Sequence, residues 1–440
     1  MNWKMNEFKK SKTALLIFFM FLIWTHALIC GNPAWGKPVI SLEDALAIAM
    51  ENHPSLMGSE GQIAAQRGRL AQSAAGDRPE VSGSISTSRR GVGSGSGTAG
   101  YSAGVSASMR IFDANRNRHA IDSQRNTLSA VEEDGRTTLR DVRANVKTAY
   151  MTLLFNMEIV GHRLESAQAF EQYLRQAEAF YEVGIAPWFN VTKAEVDLGR
   201  AQLALLEAES NVEIAKVIFF NAMGIDRPHE EFALAPIDLE VPYWLAQMGR
   251  NSLREAEFLA EALENRSDYR ASEFRTLAGA ATLRTEARAS SPSVSVTGGL
   301  GRGGRDISNL DTEWNVGLAM SIPIVDGGAA NARMAVATGQ LTSLEAAHER
   351  LRQDIALEIR RTLADITNAR ERIRITELNM LSAEENRRVA IGRYEAGAGS
   401  PFEVTDALLS YTDARLENRR ARYDLQLALV ALEIAVGREI

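Results

Sequence analysis

At 440 residues, with 45% hydrophobic and 24% charged side chains, the chain is long enough to bury one large core or several. A formal charge of −7 with no basic patch excludes a nucleic-acid binder. The single cysteine, Cys30, excludes disulfides and a thiolate metal site in everything that follows it.

The N-terminus carries Lys4, Lys9, Lys10 and Lys12, then an apolar run from Ala14 to Ile29, then Ala34-Trp35-Gly36. A basic start, an apolar stretch shorter than the ~20 residues of a membrane span and small residues before the break predict a signal peptide over residues 1–36, rather than an uncleaved anchor. Ile29 argues against lipid attachment at Cys30, because lipoprotein processing wants a small residue there. Losing four lysines and Glu7 takes the net charge from −7 to −10. No later stretch reads as a transmembrane helix.

A helix is expected over about 55–77, followed by a hairpin over about 79–112. In the hairpin Val81, Gly83, Ile85 and Thr87 alternate with serines. After a Gly-Ser loop at 91–100, Tyr101, Ala103, Val105, Ala107, Met109 and Ile111 alternate with Ser102, Gly104, Ser106, Ser108 and Arg110. Residues 116–182 then contain no proline and almost no glycine, which predicts one helix of about 100 Å. Gly184 stops it, Pro187 suits the first turn of a return helix, and that helix runs over about 188–223. Residues 228–250 read as a linker.

The chain then repeats. Shifted by 213 residues it lands on itself without a gap: Asn52 on Asn265, Pro79 on Pro292, Asp113 on Asp326, Tyr181 on Tyr394, Gly184 on Gly397, Thr192 on Thr405. Repeat 1 is placed at 37–227 and repeat 2 at 251–440, the latter with a hairpin at about 292–325, a second Gly-rich loop at 303–312, a long helix over 329–395 and a return helix over 402–436. A unit this long points to two equivalent halves about a pseudo-symmetry axis rather than to a solenoid. The helix before each hairpin and the return helix together roughly match the long helix, so two short helices are expected end to end beside it. Regular alanines, among them Ala194, Ala201, Ala208 and Ala215, provide a close-packing coiled-coil seam. Taken alone, the four strands fit either a transmembrane β-barrel or a soluble hairpin pair with one wet face.

Catalytic chemistry is missing. Gly95-Ser96-Gly97-Thr98-Ala99-Gly100 and Gly299-Leu300-Gly301-Arg302-Gly303-Gly304 spell G-x-G-x-x-G but open no helix within a βαβ unit. The histidines beyond residue 36 are scattered without metal-ligand spacing, and no nucleophile–base set is visible. No cofactor site and no enzyme activity are expected.

Ile324-Val325-Asp326-Gly327-Gly328 closing a strand, the Tyr394-x-x-Gly397 turn followed by Phe402-Glu403-Val404, the terminal Val436-Gly437, and the opening Ser41-Leu42-Glu43-Asp44-Ala45-Leu46 with Asn52-His53-Pro54 together resemble the TolC family of outer-membrane efflux and secretion channels. The resemblance covers residues 41–440. It implies an α+β membrane protein: a homotrimer whose protomers each give four strands to a twelve-stranded barrel in the outer membrane of a Gram-negative cell, joined to a periplasmic helical tunnel. Val81, Ile85, Val105, Met109, Val294, Val296, Val316, Leu318 and Met320 then face lipid, Tyr101 and Trp314 fit an interface belt, and the glycine loops face the exterior. The helical turns form the periplasmic tip.

The resemblance also implies partners: a periplasmic adaptor docking at Val183, Gly184, Ala396 and Gly397, and an inner-membrane transporter of RND, ABC or MFS type. At the tip, Glu403 and Asp406 match the family's acidic constriction, and Tyr394 matches a tyrosine that helps hold the closed state. Gly399 stands where that tyrosine's partner arginine would be. Asn190 and Lys193 are the first-repeat equivalents of Glu403 and Asp406, so Lys193 is a candidate to pair with either acid on a neighbouring hairpin. The competing reading is a non-conducting coiled-coil structural protein, which would need no duplicated alternating hairpins.

Overall fold

The computed structural model describes residues 39–91, 97–226, 232–237 and 255–438. The expected signal peptide, Cys30, most of the 228–250 linker and the middle of the 91–100 loop lie outside the described residues.

In repeat 1, α1 (Leu42–Asn52) is opened by a reciprocal cap: Ser41 Oγ accepts from the Asp44 amide while the Asp44 carboxylate accepts from the Ser41 amide, each at 3.1 Å. His53 ends α1 and starts α2 (Pro54–Ala75), its Nδ1 accepting from the Ser55 amide with proline at the first helical position. The strands β2 (Glu80–Arg90) and β3 (Thr98–Phe112) lead to the long helix α3 (Arg116–Glu182) and the return helix α4 (Trp188–Ala222). Repeat 2 has α5 (Glu255–Asn265), α6 (Ser267–Ala287), β5 (Ser293–Asp306), β6 (Asn309–Ser321), α7 (Ala329–Glu395) and α8 (Pro401–Val436). Both long helices have 67 residues, about 100 Å at 1.5 Å per residue.

Each long helix is launched by the same device. Asp113 accepts from the Asn117 amide at 2.8 Å, and Asp326 from the Ala330 amide at 2.7 Å. Two left-handed residues sit between strand and helix: Gly327 and Gly328 in repeat 2, but Ala114 (φ 55°) and Asn115 (φ 65°) in repeat 1. Glycine takes that conformation freely and asparagine tolerates it, whereas alanine is strained there.

The four long strands form one antiparallel sheet in the order β2-β3-β5-β6, so the two repeats join at β3–β5. Directly opposed residues share a face. Val81 opposes Ala107, Val105 opposes Leu300, Met109 opposes Val296, Val296 opposes Leu318, and Leu300 opposes Trp314. One apolar face therefore spans all four strands up to Arg302 and Thr312, which take the same face toward the β5–β6 turn. The opposite face is mainly serine and glycine on β2, β3 and β5, with Glu313, Asn315 and Ala319 on β6, and carries hydroxyl pairs Ser82–Ser106 and Ser86–Ser102 at 3.0 and 2.8 Å. The second glycine loop is far shorter than the expected 303–312. β5 runs to Asp306, β6 begins at Asn309, and the turn is Ile307-Ser308, held by the Ser308 amide donating to Asp306 Oδ1 at 3.0 Å. Glycines in this stretch keep strand geometry because each has a cross-strand partner.

Beside the long helices the expected end-to-end pairing is present, with α2 and α4 against α3 and with α6 and α8 against α7, and a contact between the repeats is added to it. α3 packs on α4 along one half and on both α2 and α6 along the other, and α6 also lies against α7. Ser123 of α3 meets Thr282 of α6 at 2.9 Å. Midway along, a two-residue parallel pair joins β1 (Val39–Ile40) to β4 (Ala233–Leu234). The buried Tyr150 hydroxyl shares its proton between the carbonyls of Ile40 (3.0 Å) and Ala235 (2.8 Å), and Phe232 packs on Phe219 and Phe220. Burial pushes the Tyr150 phenol up, so it stays a donor. This equatorial clasp has no counterpart in the linker reading.

Candidate gate at the helical tips

The two turns at the far end of the helices are built alike. Ile185 donates to the Phe180 carbonyl at 2.9 Å and Ala398 to the Arg393 carbonyl at 2.9 Å, closing loops through Gly184 and Gly397, both at positive φ. Pro401 sits in the first turn of α8, after Ser400 Oγ, which accepts from the Glu403 amide at 3.2 Å. Pro187 falls one place earlier than expected, at the cap of α4. Val183, Gly184, Ala396 and Gly397 are all exposed. The repeat 1 turn also exposes Ile185 and Phe189, and Trp188 meets Tyr181 edge-on at 5.1 Å.

Above the turns lies a core shared by both repeats: Phe170, Tyr173, Val191 and Ala194 from the first, Tyr394, Val404 and Leu408 from the second. Tyr394 is buried between the rings of Tyr173 (5.9 Å) and Phe180 (5.4 Å). Its hydroxyl has no hydrogen-bond partner among the described residues, and burial pushes its pKa up. The Tyr173 hydroxyl donates to the Pro401 carbonyl at 3.2 Å, stitching α3 to the start of α8, and burial first of all raises its pKa as well. Gly399 has a steric reason to lack a side chain. A Cβ there would lie 2.8 Å from the Tyr394 amide nitrogen, so the loop closes directly over the tyrosine's backbone.

The charged candidates separate. Glu403 and Asp406 are exposed; Arg393 of the same hairpin stands 3.8 Å from Glu403. Asn190 is half-buried. Within one chain the partner of Lys193 is Asp197, one helical turn along α4, at 2.7 Å. Asp197 is only 3% exposed, and the same Oδ2 accepts from Thr405 Oγ1 of repeat 2 at 3.1 Å. Asp197, Thr405 and Tyr173 thus form polar links between the repeats that the sequence reading passed over. A signal existed: Ala194, Ala201, Ala208 and Ala215 recur every seven residues, and Asp197, three after Ala194, takes a seam position where an apolar residue is the rule.

The outer membrane efflux protein family matches residues 45–224 and again 258–438, with starts 213 residues apart. The chain belongs to that family. Among its relatives, the outer membrane efflux protein BepC of Brucella suis is 22% identical over 430 residues, covering 95% of this chain and 90% of that one. The cation efflux system protein CusC of Escherichia coli is 23% identical over 427 residues, covering 92% and 89%. The outer membrane protein VceC of Vibrio cholerae shares the fold with a TM-score of 0.81 at 17% identity, over 90% of this chain and 96% of that one.

Membership of the family sets the roles of the two layers. The efflux channel's four-stranded sheet lies in the outer membrane, and its helices form the wall of a periplasmic tunnel. No described helix is long and apolar enough to cross a membrane. Val81, Ile85, Val105 and Met109 through Val294, Val296, Leu300, Val316, Leu318 and Met320 share the apolar face of this sheet, with the hydroxyl-bearing face opposite.

Proposed function

We propose that three copies of this chain close their sheets edge to edge into a twelve-stranded barrel. The assembly serves as the exit duct for an inner-membrane transporter, of RND, ABC or MFS type, reached through a periplasmic adaptor. The sheet carries this reading. It has one continuous apolar face, while the outer edges of β2 and β6 have no partner among the described residues. Unpaired edges in lipid are costly, and closure with further copies removes them. The helices support the same assembly, because α4 exposes Val196, Leu203, Leu206, Ile214, Val217 and Ile218, apolar side chains that a neighbouring protomer would cover.

The tip is the gate in this reading. Glu403 and Asp406 from three chains make an acidic ring that favours cations, and Asn190 and Lys193 of the adjoining hairpin oppose it. Lys193 reaches a neighbour's acid only by leaving Asp197, so the cross-subunit pair is an alternative to the one in cis. Val183, Gly184, Ala396 and Gly397 present little side chain to an adaptor hairpin arriving end-on.

The test is reconstitution of the purified trimer in planar bilayers. The expected result is discrete conductance with cation preference that falls in the double variant Glu403→Ala, Asp406→Ala. Recovery as a soluble, non-conducting periplasmic protein would overturn the reading and favour a coiled-coil scaffold. Lys193→Glu leaving conductance unchanged would remove Lys193 from the gate while leaving the channel intact.

A further inference from the structure

A cavity of about 180 Å³ opens on the seam between the repeats, lined by His162, Glu165 and Ser166 of α3, Arg387 of α7, and Tyr411, Thr412 and Arg415 of α8. It sits next to the tip core, with Leu408 common to both. Its electrostatics are unbalanced. Arg415 is neutralised by Glu165, with which it makes an ion pair. Arg387 instead has its guanidinium 4.5 Å over the Tyr411 ring, and no carboxylate pairs with it among the described residues. Its Nε is buried without a hydrogen-bond partner, and so is Nδ1 of His162, whose nearest carboxylate oxygen, on Glu165, is 3.8 Å away. Buried polar atoms are rarely left unsatisfied, and two on one cavity wall mark a place where a ligand belongs. Burial, reinforced by the Arg415 charge, holds His162 below its ordinary pKa, and the neutral ring still offers one N–H donor. The Thr412 hydroxyl donates to the Leu408 carbonyl at 2.9 Å and faces Ser166 Oγ at 3.4 Å, so the donors left free are the Arg387 guanidinium and the imidazole.

We propose that this cavity binds a small tetrahedral oxyanion, inorganic phosphate or sulfate, drawn from free solution. The donor set is one such anions select: a guanidinium with a free edge, a second guanidinium nearby whose charge Glu165 balances, and an imidazole N–H. Its location rules against a lipid headgroup. His162 lies 46 residues beyond the start of α3, about 70 Å from the sheet along the helix. A bound anion contacts α3 of repeat 1 and both α7 and α8 of repeat 2, so it ties the repeats together directly above the tip. The inference concerns binding and stands whether or not the tip gates conductance.

The test is isothermal titration calorimetry of sodium phosphate into the purified full chain in detergent, at constant ionic strength set with sodium chloride. Expected is saturable binding of one phosphate per chain, competed by sulfate and unaffected by the chloride present. Arg387→Gln should weaken affinity at least tenfold, with Arg387→Lys retaining most of it. His162→Phe, which keeps a ring of similar size in case Arg387→Gln fails to fold, should weaken it severalfold. Absence of saturable heat with the wild-type chain, or wild-type affinity in Arg387→Gln or His162→Phe, would overturn the proposal. Competition by anionic phospholipid vesicles at equal phosphate content would overturn the free-anion assignment.

Discussion

Thr405 of the second repeat donates its hydroxyl to the buried carboxylate of Asp197 in the first, 3.1 Å away, across 208 residues of sequence. The same oxygen holds Lys193 at 2.7 Å. Removing the hydroxyl with a side chain of the same shape leaves a buried acceptor short of one donor, which typically costs about 1–3 kcal/mol. Thr405→Val is therefore expected to loosen the contact between the two coiled coils at the tip, seen as a lower melting temperature in detergent and a larger single-channel conductance. Unchanged conductance would show that this hydrogen bond does not hold the tip shut.

The strained launch of α3 gives a prediction of the opposite sign. Ala114 occupies a left-handed conformation at the position that Gly327 fills in the other repeat. A Cβ in that region costs roughly 1–2 kcal/mol, partly offset by the greater chain entropy of unfolded glycine. Ala114→Gly should stabilise the protein by about 0.5–1 kcal/mol and Gly327→Ala should destabilise it by about 1–2 kcal/mol, read from urea unfolding. Equal and small effects at both sites would mean that the two turns are free to relax.

The sheet faces are tested by one residue on each. Val316 lies on the apolar face opposite Gly298, while Ser106 lies on the hydroxyl face opposite Ser82. An arginine facing lipid near mid-membrane costs about 2–4 kcal/mol, whereas one in a water-filled lumen costs little. Val316→Arg should cut the yield of assembled trimer in outer membranes. Ser106→Arg should assemble normally and alter conductance. The reverse pattern would mean that the faces are inverted.

What the sequence made legible was whatever side-chain period records. The 213-residue shift located both 67-residue helices, and two-residue alternation separated Val81, Ile85 and Val105 from the serines between them. Three things escaped. The β1–β4 clasp is two residues long and is held by backbone carbonyls on one phenol, Tyr150, so it leaves no pattern. The strand ends at Gly303 and Gly304 look like loop because glycine carries no face. At the tip, family resemblance drew attention to the exposed acids Glu403 and Asp406 and away from Asp197, whose importance depends on burial and on a partner in the other repeat.

The Arg266 node at mid-length yields the last prediction. Arg266 is buried, grips Asp268 through two bonds of 3.0 and 2.7 Å, and reaches Glu358 at 2.6 Å and the Ala435 carbonyl at 3.0 Å. Its repeat 1 equivalent is His53, which only caps a helix, so this clamp belongs to one half of the molecule. Burial alone would raise the Asp268 pKa, but the hydrogen bonds and charge of Arg266 together outweigh it and hold the carboxyl below the ordinary aspartate value of 3.8. A depressed folded pKa contributes stability that is fully present above the unfolded value and lost as pH falls through the folded one. Wild type should therefore hold its melting temperature down to about pH 4 with respect to this group and lose stability below it. Asp268→Asn should be less stable at neutral pH and show a shallower acid loss. Arg266→Ala, which strands the half-buried Asp268 carboxylate and a backbone carbonyl, should cost about 1–3 kcal/mol, with part recovered in Arg266→Met, Asp268→Leu. Parallel acid profiles for wild type and Asp268→Asn would show that the pair forms without contributing to stability.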